Sequence, residues 1–435
     1  MKQNEALEIM KSRKNIFLTG EAGSGKTYTV NKFIEWLREE GIGFAITAST
    51  GIAATHVGGS TIHSWSGIGI HKNATQDWIE KKLVNDPYLV KRLQSVGVLI
   101  IDEVSMIDAT LLNDVEAMVR TARPIKSESG LYKLGGEAWG GLQVIFVGDF
   151  FQLPPVTKGT AMKFAFESHA WKKAAPAVCY LTEQHRQEDV EFYDILQAIR
   201  TSKITDVHRN KLYACTANGR QPQTRLFTHN RDVDFINDQK LAELEGEAHE
   251  FQMIEEGMQS SEKANEYLLG ILKKGCLSPE RLILKEGARV MFTRNKYEEE
   301  SRERLWVNGT IGTVIEFSEE GKPVIETVDG DVFIPELETW ELKENDIVKA
   351  RIKQLPLKLA WAVTVHKSQG MTLDEASVDL SEAFEFGQGY VALSRVRSLS
   401  GLFIEGRLSK RAFMMHPRVI EADRIFRQQS EALTI

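Results

Sequence analysis

The sequence predicts an α/β protein built on parallel sheet, with a small all-β domain set into its second half. Three observations carry that prediction. Short apolar and β-branched runs at 16–19, 43–48, 98–101 and 144–147 alternate with helical patterns, as parallel strands joined by crossover helices do. The first run leads directly into Gly20-Glu21-Ala22-Gly23-Ser24-Gly25-Lys26-Thr27 and then into an amphipathic stretch at 27–40, the strand–loop–helix order of a phosphate-binding loop. From 287 to 356 the style changes to closely spaced β-like runs at 288–292, 312–316, 324–327 and 332–334, with turn pairs such as Asp329-Gly330, before α/β alternation resumes at 377–379 and 402–404.

Size and composition agree with this outline. At 435 residues the chain exceeds one core, and domains most often hold about 100–150 residues, so two large domains plus an insertion are expected. A hydrophobic fraction of 42% with 26% charged is ordinary for a soluble globular chain. No apolar run approaches the roughly 18 residues of a membrane span, and the opening Met1-Lys2-Gln3-Asn4-Glu5 lacks a signal-peptide layout, which points to a cytosolic protein. Cys179, Cys215 and Cys276 lie far apart with no C-x-x-C pair, the pattern of neither a disulfide framework nor a zinc site. The net charge of −7 does not itself suggest nucleic acid, yet a basic groove on an acidic body is physically allowed, and composition leaves the partner open.

In chain order, the phosphate-binding loop comes first. Its backbone, from Gly20 through Ala22, Gly23, Ser24 and Gly25 to Lys26, Thr27 and Tyr28, is expected to close its N–H groups around phosphate oxygens, with Lys26 reaching the β and γ phosphates. The Thr27 hydroxyl takes one position on Mg²⁺, and the start of the following helix adds its positive end. Residues 58–70, glycine-rich, read as a loop or small excursion from the sheet. Residues 104–123 read as one helix, with Met106, Leu111, Leu112, Val115 and Met118 sharing a face. Further on, Phe192, Ile195, Leu196 and Ile199 form a helical stripe, 225–228 a strand, and 237–280 a helix-prone polar stretch.

Three sets of residues carry chemistry. Leu99-Ile100-Ile101-Asp102-Glu103 ends an apolar strand in two carboxylates: Asp102 to hold Mg²⁺ through its water shell, Glu103 to act as general base on the attacking water. In Gly148-Asp149-Phe150-Phe151-Gln152-Leu153-Pro154-Pro155, Gln152 stands just past another strand, where it can hydrogen-bond the γ-phosphate or that water. Arg186, in Thr182-Glu183-Gln184-His185-Arg186, and Arg395, in Tyr390-Val391-Ala392-Leu393-Ser394-Arg395, are the candidate cations for the transferring phosphoryl group.

These strings appear in order with Ala48-Ser49-Thr50-Gly51-Ile52-Ala53-Ala54, Thr61-Ile62-His63-Ser64 and Thr364-Val365-His366-Lys367-Ser368-Gln369-Gly370. Together they resemble a superfamily-one helicase of subfamily B, close to the PIF (petite integration frequency) DNA helicases and more distantly similar to RecD. The likeness covers nearly the whole chain. Residues 105–126 also resemble the signature segment of PIF helicases, and Val307-Asn308-Gly309-Thr310-Ile311-Gly312 resembles a turn of the SH3-like β domain of this subfamily.

The resemblance implies two RecA-like parallel-sheet domains with ATP and Mg²⁺ between them: 1–180 as the first, with a small inserted wedge at about 59–77, and 181–286 with 357–435 as the second. The SH3-like insertion spans about 287–356, and the polar segment at 240–280 is grouped with it. It implies single-stranded DNA tracked 5′ to 3′, contacted by Thr50, Gly51, His63, Ser64, Thr228, Asn230, Thr364 and His366, with Gln3, Gln369 and Gly370 at the nucleotide. Small polar donors of this kind bind phosphates without reading bases. Trp65 and Phe150 are weighed as base-stacking rings against core packing, with core favoured. Forked duplex, G-quadruplex and RNA–DNA hybrid stay open as substrates in genome maintenance, for a monomeric, bacterial or minimal form of the enzyme. Two other readings stand beside it: a phosphate-loop ATPase that remodels protein, and a nucleic-acid clamp that switches with ATP without unwinding.

Overall fold

Strand β1 (Ile16–Gly20) is buried along its whole length, as a strand covered on both faces must be. With β2 (Phe44–Ala48), β3 (Ser60–Thr61), β4 (Val98–Asp102), β5 (Gln143–Val147) and β6 (Ala177–Leu181) it forms a six-stranded sheet in the order β3-β2-β4-β5-β1-β6. Every pairing in it is parallel. Because β4, β5 and β1 are neighbours, the segments leaving their carboxyl ends emerge side by side, where ligands of such sheets bind. The computed structural model describes residues 1–433 except 51–53, 55–58, 70, 124, 127–131, 134–136, 156–161, 184–188, 216–223, 259–260, 295, 298–303, 307–308, 328–329, 345–346, 367 and 370–372.

The period of two along β1 sorts its side chains onto two cores. Ile16 and Leu18 face α1 (Gln3–Lys11) and α2 (Lys26–Glu39), whose Ala6, Met10, Val30, Phe33 and Leu37 are buried against Ile100, Ile145 and Val147. Phe17 points the other way into an aromatic group, its ring 5.4 Å from Phe150, 5.0 Å from Trp171 and 5.0 Å from Phe426. Aromatic pairs at these spacings each add about 0.5–1.5 kcal/mol beyond the area they bury. Further helices of this region are α3 (Ile62–Ser66), α4 (Ala109–Ala122), α5 (Val190–Arg200), α6 (Gln388–Leu393) and α7 (Pro417–Leu433).

By contact the chain falls into two compact units: Met1–His208 with Phe384–Ser394 and Lys410–Ile435, and Arg209–Ala383 with Arg395–Ser409. The dividing line therefore runs at residue 208 rather than 180, and the terminal helix is drawn to the first unit. Phe426 explains the latter, since its ring sits among Phe17, Phe150, Phe166 and Trp171. In the second unit, β7 (Arg225–Phe227), β8 (Ala362–Thr364), β9 (Ala376–Asp379) and β10 (Leu402–Glu405) make a parallel sheet in the order β8-β7-β9-β10. The β-rich stretch holds a five-stranded sheet ordered Val332–Phe333, Pro323–Thr327, Ile311–Phe317, Arg289–Phe292, Leu357–Leu359, antiparallel throughout. A separate antiparallel sheet joins Ile254–Gly257, Ile347–Gln354 and Glu338–Glu344. Val307 and Asn308 of the expected turn lie outside the described residues.

Three expectations about local structure are corrected. The 58–70 stretch is not all loop: Thr61 caps α3 by accepting from the Ser64 N–H at 3.3 Å, and the glycines fall outside the helix, with Gly67 ending it at φ 74°. The 104–123 helix is split. Val104–Met106 is a single 3-10 turn, and Asp108, accepting from Leu111 N–H at 2.8 Å, starts α4 afresh. The polar 237–280 stretch is helical only in part: the helices Asn230–Glu243 and Glu262–Gly275 bear the expectation out, while His249–Gln252 pairs with Arg281–Leu284 and Ile254–Gly257 joins the sheet named above. Long-range pairing there overrides helix-leaning composition. Among the described residues, no helix is long and apolar enough to cross a membrane.

Candidate active site

The loop between β1 and α2 folds as its glycines require. Gly23 and Gly25 sit at φ 86° and 85°, a region in which a side chain is strained, and Gly25 is the N-cap of α2. The Lys26 ammonium curls back over the loop, donating to the carbonyl oxygens of Gly20 and Glu21 at 2.8 Å each. Ser24 is buried, and its Oγ has no hydrogen-bond partner among the described residues. A buried, unsatisfied hydroxyl in a loop at a helix start fits an anion's oxygen, and the surroundings therefore suit a triphosphate. Gln3, at the start of α1, donates from Nε2 to the Ser24 carbonyl at 3.3 Å, which sets the glutamine expected to read the base directly beside the loop.

Two strands away, Asp102 ends β4 and accepts the Glu103 N–H on Oδ1 at 2.8 Å. Burial raises the Asp102 carboxyl to about 6, opposed by that hydrogen bond and by Lys26. Glu103 has φ 50° and ψ 45°, a left-handed conformation that costs a non-glycine residue about 1–2 kcal/mol. Strain of this kind collects where a side chain must point in one direction, and here it is the expected general base. Thr27, exposed on the first turn of α2, and Asp102 are oxygen donors of the kind that hold a hydrated Mg²⁺.

The glutamine turn follows β5, which lies between the strands that carry the loop and the acid pair. Gln152 is buried, and its backbone N–H donates to Asp149 O at 2.9 Å. Asp149, with no exposed surface, accepts the Phe151 N–H on Oδ1 at 3.1 Å. Phe150 is 5% exposed inside the aromatic group and Trp65 is 5% exposed on the buried side of α3. Both rings are core, as favoured, and neither presents a face to a base.

The expected strand contacts collect in two places. In the first unit β2 and β3 are aligned with Ala48 opposite Thr61, so Thr50 and His63, each two residues beyond that pair, leave the same end of the sheet. Ser64 follows on the exposed side of α3. Burial keeps the His63 imidazole below its ordinary value, opposed by Asp108 and assisted by Lys72, so the ring is neutral at pH 7. In the second unit Phe227 aligns with Thr364, which brings Thr228, Thr364 and His366 together at the ends of β7 and β8. Thr228 and Thr364 are buried, and Asn230 opens the helix Asn230–Glu243. Gln369 and Arg395 are buried in the same unit, Arg395 with 2% of its surface exposed. Gly51, Arg186 and Gly370 lie outside the described residues.

One set of side chains was given no role by the sequence. Arg200, at the end of α5 and without exposed surface, donates from Nη1 to Asp149 Oδ2 at 2.5 Å and to Tyr390 Oη at 3.2 Å, and from Nη2 to Tyr180 Oη at 2.9 Å. A signal for it existed. Arg200 falls four residues after Leu196 on the apolar stripe of α5, the place where an unpaired charge is expelled and only a paired one is kept.

Known proteins share this architecture. A family model described as PIF1-like helicase matches residues 3–210. The ATP-dependent DNA helicase Pif1 of Psychrobacter sp. is 40% identical, covering 99% of this chain and 71% of its own length. The chain spans 59% to 62% of the length of vertebrate relatives it matches. The crystal structure of Pif1 helicase from Candida albicans superposes with a TM-score of 0.79 at 32% identity, over 97% of this chain and 98% of that one. Pif1 helicase from Bacteroides, crystallised with ADP-AlF3 and single-stranded DNA, superposes with a TM-score of 0.68 at 28% identity, over 98% and 96%.

Proposed function

The chain belongs to the PIF1-like helicase family, and on that premise we propose that it is an ATP-dependent DNA helicase which tracks single-stranded DNA 5′ to 3′ and separates the duplex ahead. The observation that carries the reading is the adjacency of β4, β5 and β1, whose carboxyl ends lead into the acid pair, the Gln152 turn and the phosphate loop. A nucleoside triphosphate is the ligand whose chemistry uses all three. The Bacteroides relative binding ADP-AlF3 together with single-stranded DNA supports the pairing of the two ligands.

In this reading Lys26 and the phosphate-loop amides other than that of Ala22, which bonds Tyr390 Oη, bind the phosphate chain, Thr27 and Asp102 hold Mg²⁺, and Gln3 meets the adenine. Mg²⁺ supplies charge neutralisation on the phosphate oxygens. Glu103 takes the proton of the attacking water, Gln152 orients that water, and Arg186 and Arg395 are the cations that stabilise charge on the transferring group. Gln369 and Gly370 complete the nucleotide contacts. Thr50, Gly51, His63, Ser64, Thr228, Asn230, Thr364 and His366 bind backbone phosphates along the strand. Residues 59–77 form the separating wedge, the β-rich insertion at 287–356 is SH3-like, and the enzyme is monomeric in solution, with forked duplex as its simplest substrate and G-quadruplex as a further one.

Hydrolysis by the purified chain, measured with and without oligo-dT, tests this reading. Stimulation by the oligonucleotide that Lys26→Ala abolishes is the expected result. Hydrolysis indifferent to DNA transfers the chain to the protein-remodelling class of phosphate-loop ATPases.

A further inference from the structure

The buried charge cluster around Arg200 runs between the two halves of the phosphate site within the first unit. At one end, Asp149 holds the turn that carries Gln152: Oδ1 accepts the Phe151 N–H at 3.1 Å, and its backbone carbonyl accepts the Gln152 N–H at 2.9 Å. At the other, the Ala22 N–H of the phosphate loop donates to Tyr390 Oη at 3.2 Å. Arg200 joins them, bonding Asp149 and Tyr390 from the same Nη1 and lying 4.2 Å over the Phe151 ring.

The helix that carries Tyr390 meets the glutamine turn a second time. Its N-cap, Gly387, has φ 77°, and a Cβ there would come within 2.4 Å of the Phe151 carbonyl oxygen and 2.8 Å of the Gln152 one. Only glycine permits that approach. Outer members brace the cluster: Tyr180 donates to Asp423 at 2.8 Å, Arg427 donates to Asp423 and to Tyr180 at 2.8 and 2.7 Å, and Tyr193 donates to Glu21 of the loop at 3.0 Å. Burial works against the Arg200 charge, and Asp149, the two tyrosines and Asp423 outweigh it, so the guanidinium stays charged. Both Nη atoms of Arg200 are bonded while its Nε has no hydrogen-bond partner among the described residues, and a buried network anchored at both Nη atoms fixes geometry.

We propose that Arg200 and Tyr390 are positioning residues for ATP hydrolysis, tying the Gln152 turn to the phosphate loop so that both meet the γ-phosphate in one fixed arrangement. Neither touches the nucleotide. Their effect belongs to the transition state, where a misplacement of about 1 Å costs up to about a hundredfold. The inference rests on the reading of this loop as an ATP-hydrolysing site.

Tyr390→Phe removes a single oxygen from a ring that otherwise stays in place, and Arg200→Lys keeps the charge but loses the fork that reaches Asp149 and both tyrosines. In the full chain we expect each to lower kcat for ATP at least about fivefold while KM and mant-ADP affinity stay within about twofold, the mark of an interaction made in the transition state. Affinity for mant-ADP with aluminium fluoride should fall by the same factor as kcat, and the double variant should be no slower than the worse single one. A loss of kcat under fivefold in Tyr390→Phe overturns the proposal, as does an equal loss of ADP and ADP–aluminium fluoride affinity. Should Arg200→Lys fail to fold, Tyr390→Phe decides alone. Failure of the underlying helicase reading has another signature: the wild-type chain is then not stimulated by oligonucleotide, while its basal hydrolysis and aluminium fluoride preference still separate the two outcomes for Tyr390.

Discussion

Replacing Glu103 separates the cost of its conformation from the use of its carboxylate. The residue sits at φ 50° and ψ 45° with its N–H on Asp102 Oδ1. Glutamine has the same shape, so Glu103→Gln keeps the strained backbone and the hydrogen bond and loses only the basic oxygen. Removing a general base costs about 10²–10⁴ in rate, which at about 1.4 kcal/mol per factor of ten is about 3–6 kcal/mol of transition-state stabilisation. Glu103→Gly does the complementary experiment. It relieves about 1–2 kcal/mol of left-handed strain and loosens the unfolded chain by about 0.4–1 kcal/mol, leaving a net gain of about 0–1.6 kcal/mol. In a unit of this size that raises the melting midpoint by up to about 6 °C. Steady-state hydrolysis with saturating oligo-dT and calorimetric melting read the two quantities. Glu103→Gln turning over within threefold of wild type would remove Glu103 as the base, and a Glu103→Gly chain that melts earlier would refute the strain argument.

Two further outcomes follow from the same geometry. Arg395→Ala should lose hydrolysis rate at least about tenfold while oligo-dT affinity by fluorescence anisotropy changes less than about threefold; the reverse pattern reassigns Arg395 to the DNA strand. For His63, burial depresses the folded-state value below the ordinary 6.5, so protonation favours the unfolded chain. Stability is then present above pH 6.5 and lost as pH falls through the folded value, and urea unfolding from pH 7.5 to 5 should show a steeper decline in wild type than in His63→Gln. Parallel declines remove His63 from that account.

Much of the site was legible because its parts are local. The loop Gly20–Thr27, the Asp102-Glu103 pair and the Gln152 string each need only a strand end and a few following residues, and all three strands form where apolar runs predict them. What could not be read was set by distance in sequence. Asp149 and Arg200 pair across 51 residues, and Arg200 meets Tyr390 across 190, so no local pattern joins them beyond a charge on an apolar stripe. Composition was right for the two helical parts of 237–280 and misled only at 249–257, where strands form because partners at 281–284 and 347–354 are available. At α3 the error was arithmetic: glycines that make 58–70 look irregular stand before the helix and at its end, not in it.

The central claim is that chemistry at the β4-β5-β1 edge drives motion along one DNA strand in one direction. Duplexes of equal length carrying either a 5′ or a 3′ single-stranded tail, mixed with the full chain, ATP and Mg²⁺, and followed by strand separation, test it most directly. The account predicts separation of the 5′-tailed duplex, dependent on Lys26 and Glu103, with the 3′-tailed duplex left intact. Separation from the 3′ tail alone contradicts the polarity, and ATP hydrolysis with neither duplex opened contradicts the helicase itself.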